Sequence, residues 1–308
     1  MPSLFIFIPL ALVIALNILG PRLSGRKTAL ISSALALIVQ IIMSLTMGGK
    51  LWSKIDSALR IERIIGLRSN SYSPLMLFLI GLVALISLCV AADTSGVGIF
   101  NFTNLMLIAV MGMNGLVLVD DMFTMYVFLE ITAVSTFILI AIRKGRRAMQ
   151  SSFKYLYMSA VATVFILLAI TLMLMYTGSL RFEDINGYFI GIKGTMPMPV
   201  LCSCILLITG LLIKAGLVPF HGWVADAYSS SPMPVSILIA GIETKVSGVY
   251  SLFIIYTSVL GKNPMVGNIL MVFGVVSIII GALAAIAQDD FKNMLAFSSI
   301  SQIGYIIL

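Results

Sequence analysis

Charge is what this sequence has least of. Asp, Glu, Lys and Arg make up 10% of its 308 residues, against about 25% in an ordinary globular domain. Hydrophobic residues make up 60%, and the mean hydropathy is +1.12. A soluble fold of this length has nowhere to hide so much apolar surface. Histidine is limited to His221, which excludes a His-cluster metal site and a bis-His haem. The three cysteines, Cys89, Cys202 and Cys204, all lie in apolar runs. They have neither metal-type spacing nor the makings of a disulfide framework. No glycine-rich phosphate loop follows a strand pattern, so nothing supports nucleotide binding. The net charge of +7 is not clustered as a nucleic-acid surface is. It fits the positive-inside bias and contact with lipid headgroups. The chain is expected to bind no metal, cofactor or nucleic acid of its own.

What is present is long apolar runs. They are continuous rather than alternating, which indicates spanning helices and not an outer-membrane barrel. Spanning takes about 20 apolar residues. Runs of that kind occupy 4–20, 28–47, 72–92, 100–119, 122–142, 153–176, 198–220, 235–260, 266–287 and 296–308. The expectation is an all-α polytopic membrane protein of about ten transmembrane helices. The first run lacks a basic flank and a small-residue cleavage site, so it reads as a helix and not a signal peptide. Residues 50–68 are mixed in charge and amphipathic, with Trp52, Ile55, Leu59, Ile61 and Ile64, and read as an interfacial segment. Residues 178–199 read as a polar loop. Arg143–Arg147 and the group Arg22, Arg26 and Lys27 fall on one side, assigned as cytoplasmic, with the N-terminus outside. The chain stops inside an apolar stretch at Tyr305–Leu308.

An ionisable group at mid-bilayer costs about 2.5–3.5 kcal/mol on insertion scales, so it is expected to be paired, to face protein or water, or to act. Four such groups stand out: Glu130, Lys214, Glu243 and Lys245. Burial and neighbouring charge make groups of this kind tunable for proton handling. Glu130 reads either that way or as a structural ion pair. Pro219 follows Lys214 by five residues and is expected to kink the helix beside it. His221, seven residues past Lys214, would then share nearly one face with it. It reads either as a relay group or as an interfacial histidine. Glu243 and Lys245 are two residues apart and point to opposite faces. One faces a path through the protein and the other a neighbouring helix or subunit, in either order. Gly241 and Gly248 bracket them and permit close helix approach. In the last run Ser298, Ser301, Gln302 and Tyr305 share a face, suited to a water chain or to interhelical bonding.

Three blocks of the sequence resemble a known family. The first runs from Lys214 through Pro219, Phe220, His221, Trp223, Asp226 and Ala227, past Pro232 and Pro234, to Ala240, Gly241, Ile242 and Lys245. The second joins Asp290-Phe291-Lys292 to Leu295-Ala296-Phe297-Ser298-Ser299-Ile300 and Gly304-Tyr305. The third is Met125-Tyr126-Val127-Phe128-Leu129-Glu130. Together they resemble the antiporter-like membrane subunits shared by respiratory complex I, Mrp-type sodium/proton antiporters and energy-converting membrane-bound hydrogenases. The resemblance implies a first five-helix inverted repeat around Lys214 with one broken helix, and a second repeat that is incomplete here. It divides the chain into N-terminal helices (1–104), a core repeat (105–260) and the start of a second repeat (261–308). Two positions depart from the family pattern: Gln302 where a histidine is common, and Glu243 beside Lys245.

The resemblance implies a proton relay of Glu130, Lys214, His221 and Lys245, with Glu130 paired to Lys214. Asp226, Glu243, Ser298, Gln302 and Tyr305 are secondary candidates. Separating Lys⁺ from Glu⁻ favours proton release. The implied protein is an ion-translocating subunit, for H⁺ or Na⁺/H⁺, of a hetero-oligomeric complex in the prokaryotic cytoplasmic membrane. Any iron–sulfur, nickel–iron or flavin cofactors would belong to its partner subunits. The competing readings are a non-pumping structural subunit of the same complex and a stand-alone secondary transporter.

Overall fold

In hydrocarbon a backbone must satisfy its own polar groups, so an apolar run that crosses the bilayer becomes a helix. A computed structural model of the chain describes residues 2–19, 25–46, 67–94, 98–191 and 197–308. The amphipathic stretch expected over 50–68 lies outside them except for Leu67 and Arg68. The helices are α1 (Leu4–Leu19), α2 (Gly25–Thr46), α3 (Ser73–Asp93), α4 (Ile99–Leu118), α5 (Met122–Ile140) and α6 (Arg146–Thr177). They continue as α7 (Phe182–Gly191), α8 (Met198–Ala215), α9 (Val224–Ser230), α10 (Met233–Val259), α11 (Pro264–Ile286) and α12 (Phe291–Ile307). Among the described residues, eight helical spans are long and apolar enough to cross a membrane, with α8 and α9 counted as one; Leu4–Ile18 is a shorter apolar helix. The chain is an all-α, multi-pass membrane protein.

Helix boundaries differ from the hydropathy runs where helices outlast the apolar stretch. The sixth run begins at 153, yet α6 begins at Arg146, because its first turns are polar and still helical. The stretch 178–199 is not a plain loop. Phe182 and Ile185 are buried and anchor α7, whose first turn carries Glu183 and Asp184, where acids suit a helix N-terminus.

Successive spans alternate in direction, so Arg26 and the Arg143–Arg147 block come to the same end. Arg26 there donates to the Ala92 carbonyl at 3.1 Å. At the opposite end Arg68 forms an ion pair with Glu183, and Arg181 lies 3.9 Å from Asp120. Burial pushes the Asp120 carboxyl above the usual range, against the pull of Arg68 and Arg181. Asp121 caps α5 by accepting from the Thr124 amide at 2.8 Å.

Helix α4 sits innermost, with 78% of its spanning stretch buried; the α8–α9 and α10 spans are at 72%, while α2 and α11 are at 28%. The broken helix and α10 therefore run through the interior, and the outer helices present apolar faces such as Ile279, Leu283 and Ile286 to their surroundings.

Candidate functional site

The site is built where α8 stops in mid-protein. Gly216 closes the helix in the left-handed conformation, φ +70°, which glycine adopts without steric cost. A Cβ there would meet Val224 Cγ2 at 2.4 Å. The break falls before Pro219, which lies in the connecting stretch and not inside a helix. The kink expected at Pro219 is thus a full interruption begun by Gly216. Several of the backbone groups it frees find partners. Ile213 O accepts from Gly216 N at 3.2 Å and from Trp223 Nε1 at 3.1 Å. Val218 N donates to Ser277 Oγ of α11 at 3.1 Å.

Lys214 occupies the last turn of α8 and is buried. Its ammonium donates to Ser159 Oγ of α6 at 2.7 Å. It makes no direct contact with Glu130. Lys214 instead lies within electrostatic reach of two carboxylates, Glu130 and Glu243. One oxygen of Glu130, Oε1, is buried without a hydrogen-bond partner.

Glu243 is more central than its secondary rank in the sequence suggested. It is 2% exposed and sits in a π-helical turn, Ile239–Glu243, of α10. Its Oε1 accepts from Tyr155 OH and Ser247 Oγ, both at 3.3 Å. It also lies within electrostatic reach of Lys245. Neither face of this acid is left to an outside subunit. Lys245 opens a second π turn, Lys245–Tyr250. It donates to Ser299 Oγ of α12 at 2.8 Å and to the Ala240 carbonyl. The ionisable groups therefore follow one another in alternating sign: Glu130, Lys214, Glu243, Lys245. Opposite neighbours offset part of the cost of each buried charge.

Close approach of α10 to the end of α8 depends on Gly248. A Cβ there would lie 2.3 Å from Ala215 Cα. Gly241 plays a milder version of this role against Val83, at 2.9 Å.

Other predicted positions divide. His221 falls in a 3₁₀ turn, Phe220–Trp223. The helix break separates it from the face of Lys214, so the shared face expected from seven-residue spacing does not form. Its Nδ1 is buried without a partner, and its ring meets Phe297 edge-on at 6.3 Å. Asp226 is half exposed and pairs with Lys154 at 2.6 Å, at the basic end of the molecule and away from the charged row. The stripe on α12 is split by packing. Ser301 donates to Ile278 O at 3.2 Å, while Tyr305 is 64% exposed. Ser298 and Gln302 line an open-sided cavity of about 530 Å³ together with Lys245 and Lys292. The residue that bonds Lys245 is Ser299, which was not singled out. Tyr155 and Ser159, four apart on α6, were also missed. Their signal was a polar stripe with Ser152 at helical spacing, leading into an apolar run. Among the described residues no group of three His, Cys, Asp or Glu side chains could hold a metal.

A family model described as NADH:quinone oxidoreductase/Mrp antiporter, transmembrane, matches residues 119–308. The chain belongs to that family, the antiporter-like membrane proteins. Among curated relatives, NADH-quinone oxidoreductase subunit N of Desulforudis audaxviator is 38% identical over 212 residues, 68% of this chain and 41% of the relative. NAD(P)H-quinone oxidoreductase chain 4-2 of Synechocystis is 32% identical over 67% of this chain and 36% of its own length. The chain thus spans about two fifths of the length of the curated relatives it matches. A chain of respiratory complex I from Thermus thermophilus superposes with a TM-score of 0.77 at 26% identity, covering 98% of this chain and 62% of that one. Chains of the archaeal membrane-bound sulfane sulfur reductase and of the Mrp complex from Dietzia share the fold, with TM-scores of 0.82 and 0.81 at 23% and 22% identity. They cover this chain completely and extend beyond it, since it spans 64% and 58% of their lengths.

Proposed function

We propose that the chain is an ion-translocating, antiporter-like subunit of a multisubunit membrane complex, moving H⁺ or exchanging it for Na⁺. The supporting observation is the row of four ionisable groups of alternating sign beside a broken helix, with Lys214 and Glu243 at its centre buried. Glu130, Lys214, Glu243 and Lys245 are its proton-bearing groups. His221, with a buried unpartnered nitrogen, connects the break to α12. Lys214 is the switch: it stands between two carboxylates, so a small shift toward either one changes which acid it stabilises and how readily it releases its proton. Hydrogen bonding to Ser159 holds the ammonium between them. The basic end, with Arg26 and Arg143–Arg147, faces the cytoplasm by the positive-inside rule. Redox cofactors, if the complex is an oxidoreductase like its named relatives, are held by partner subunits.

Lys214→Ala tests this in the complex purified from its own membrane and reconstituted in liposomes. The expected result is an assembled complex whose ion flux is abolished. Normal flux in the assembled variant overturns the reading and leaves a structural subunit.

A further inference from the structure

Glu243 and Lys245 project to opposite faces of α10, and no hydrogen bond joins them directly. Hydroxyl groups connect them around the helix. Lys245 Nζ donates to Ser299 Oγ at 2.8 Å. The Tyr228 hydroxyl comes near the Ser299 side chain without a well-formed hydrogen bond to it, and shares a hydrogen bond with Thr244 Oγ1 at 2.8 Å. Thr244 Oγ1 stands 3.4 Å from Glu243 Oε2. The line runs from cation to anion through three hydroxyls carried by α12, α9 and α10. Tyr228, Thr244 and Glu243 are all buried, at 3%, 0% and 2% exposure.

Two details separate this arrangement from ordinary helix glue. A hydroxyl both donates and accepts, so a row of them can pass one proton at every link. In addition, the acid is held asymmetrically. Oε1 faces two hydroxyls at 3.3 Å, Tyr155 and Ser247, the latter also 2.8 Å from the Glu243 carbonyl, while Oε2 is turned to Thr244. The Thr244 hydroxyl has a second acceptor, the Ile239 carbonyl five residues back, at 3.1 Å. That carbonyl is within reach because the π turn widens the helix there. Rotation of one hydroxyl between Ile239 O and Glu243 Oε2 opens or closes the line.

We propose that Ser299, Tyr228 and Thr244 form a proton wire between Lys245 and Glu243, which makes Glu243 the acid that links the two lysines. The proposal rests on the ion-translocating reading above. In one transfer the Lys245 ammonium gives a proton to Ser299. Ser299 gives its own to Tyr228, Tyr228 gives its own to Thr244, and Thr244 gives its own to the Glu243 carboxylate. Each hydroxyl receives as it donates and ends neutral. The net change is Lys-NH₃⁺ and Glu-COO⁻ becoming Lys-NH₂ and Glu-COOH.

The test uses the same reconstituted complex, driven by a potassium diffusion potential, with an internal pH dye reading proton entry. Tyr228→Phe keeps the ring and removes the middle hydroxyl. Thr244→Val keeps the shape and removes the last one. Each is expected to slow flux on the order of a hundredfold, and Thr244→Ser to restore it. Wild-type rates in assembled Tyr228→Phe and Thr244→Val, with Lys214→Ala inactive, overturn the wire and leave translocation standing. Flux that survives Lys214→Ala overturns the translocation reading and the wire with it. Should Tyr228→Phe fail to assemble, the Thr244 pair decides: a slow valine variant beside a normal serine variant supports the wire, and equal rates overturn it.

Discussion

Helices α1–α4 and the broken-helix region that follows both bury polar side chains between spans, yet they choose different chemistry. In the first region the groups are neutral amides and hydroxyls. Gln40 and Asn114 exchange two hydrogen bonds at 3.0 Å. Their remaining donors go to backbone carbonyls, Leu77 O at 3.0 Å and Phe5 O at 2.8 Å. Asn17 reaches Asn104 at 3.4 Å. An amide pair of this kind satisfies itself completely and has one protonation state. In the second region the buried groups are carboxylates and ammoniums with incomplete or exchangeable partners, such as Glu130 Oε1 and the Thr244 hydroxyl. The comparison teaches that burial of polarity alone does not mark a path. A path needs groups that can change state, set beside partners that can follow them.

A graded set of variants sharpens that comparison, and the largest effect is expected at the seam where α10 meets the end of α8. Gly248→Leu drives a side chain into Ala215 backbone, which has no room to yield, and should cost at least about 3 kcal/mol. Loss of the assembled protein on size-exclusion chromatography is the expected reading; a normally assembled variant would show that the seam is looser than its geometry.

Next come two leucine substitutions, one in each region. Glu243→Leu leaves Lys214 and Lys245 without their shared acid and should destabilise by about 3–5 kcal/mol, as removal of one buried ionic partner does. Asn114→Leu should cost about 1–3 kcal/mol by stranding Gln40, and adding Gln40→Leu should recover part of that loss, because an unmatched polar group costs more than an absent pair. Thermal unfolding in detergent compares the three. Equal losses for Glu243→Leu and Asn114→Leu would erase the distinction between the regions.

The smallest effect belongs to Lys154→Met. Its ion pair with Asp226 is half exposed on both sides, and such pairs contribute about 0–1 kcal/mol. Ion flux is expected to stay at the wild-type rate. A large loss of flux would return Asp226 to the path.

Much of this was legible along the chain because hydrocarbon allows so few solutions. Apolar runs of spanning length had to be helices, and the basic blocks at 26–27 and 143–147 came out at the same end. Charges at 130, 214, 243 and 245 could be recognised from depth alone. At Pro219 the expected kink became a full break, for a local reason. Proline marks a place where a helix cannot continue, but Gly216 had already ended this one three residues earlier, and that break turned His221 away from Lys214. The polar stripe on α12 was divided between neighbours for a different reason. Periodicity shows which residues share a face, not which neighbour that face meets, so Ser301 went to α11 and Ser299 to Lys245.

The sequence by itself determined that this is a helical membrane protein with ionisable groups inside its apolar runs, and its three motif blocks carried the resemblance to the antiporter-like family. The first two follow from composition, run length and the cost of charge in hydrocarbon, which act on each segment separately. The tertiary structure alone decided that Glu243 stands between the two lysines and that Lys214 rests on Ser159, not on Glu130. It also brought hydroxyls from three helices into one line. These are contacts between segments far apart in the chain, and the π turns of α10 rotate everything beyond them out of ordinary helical phase. No spacing rule read along one helix could have anticipated that rotation.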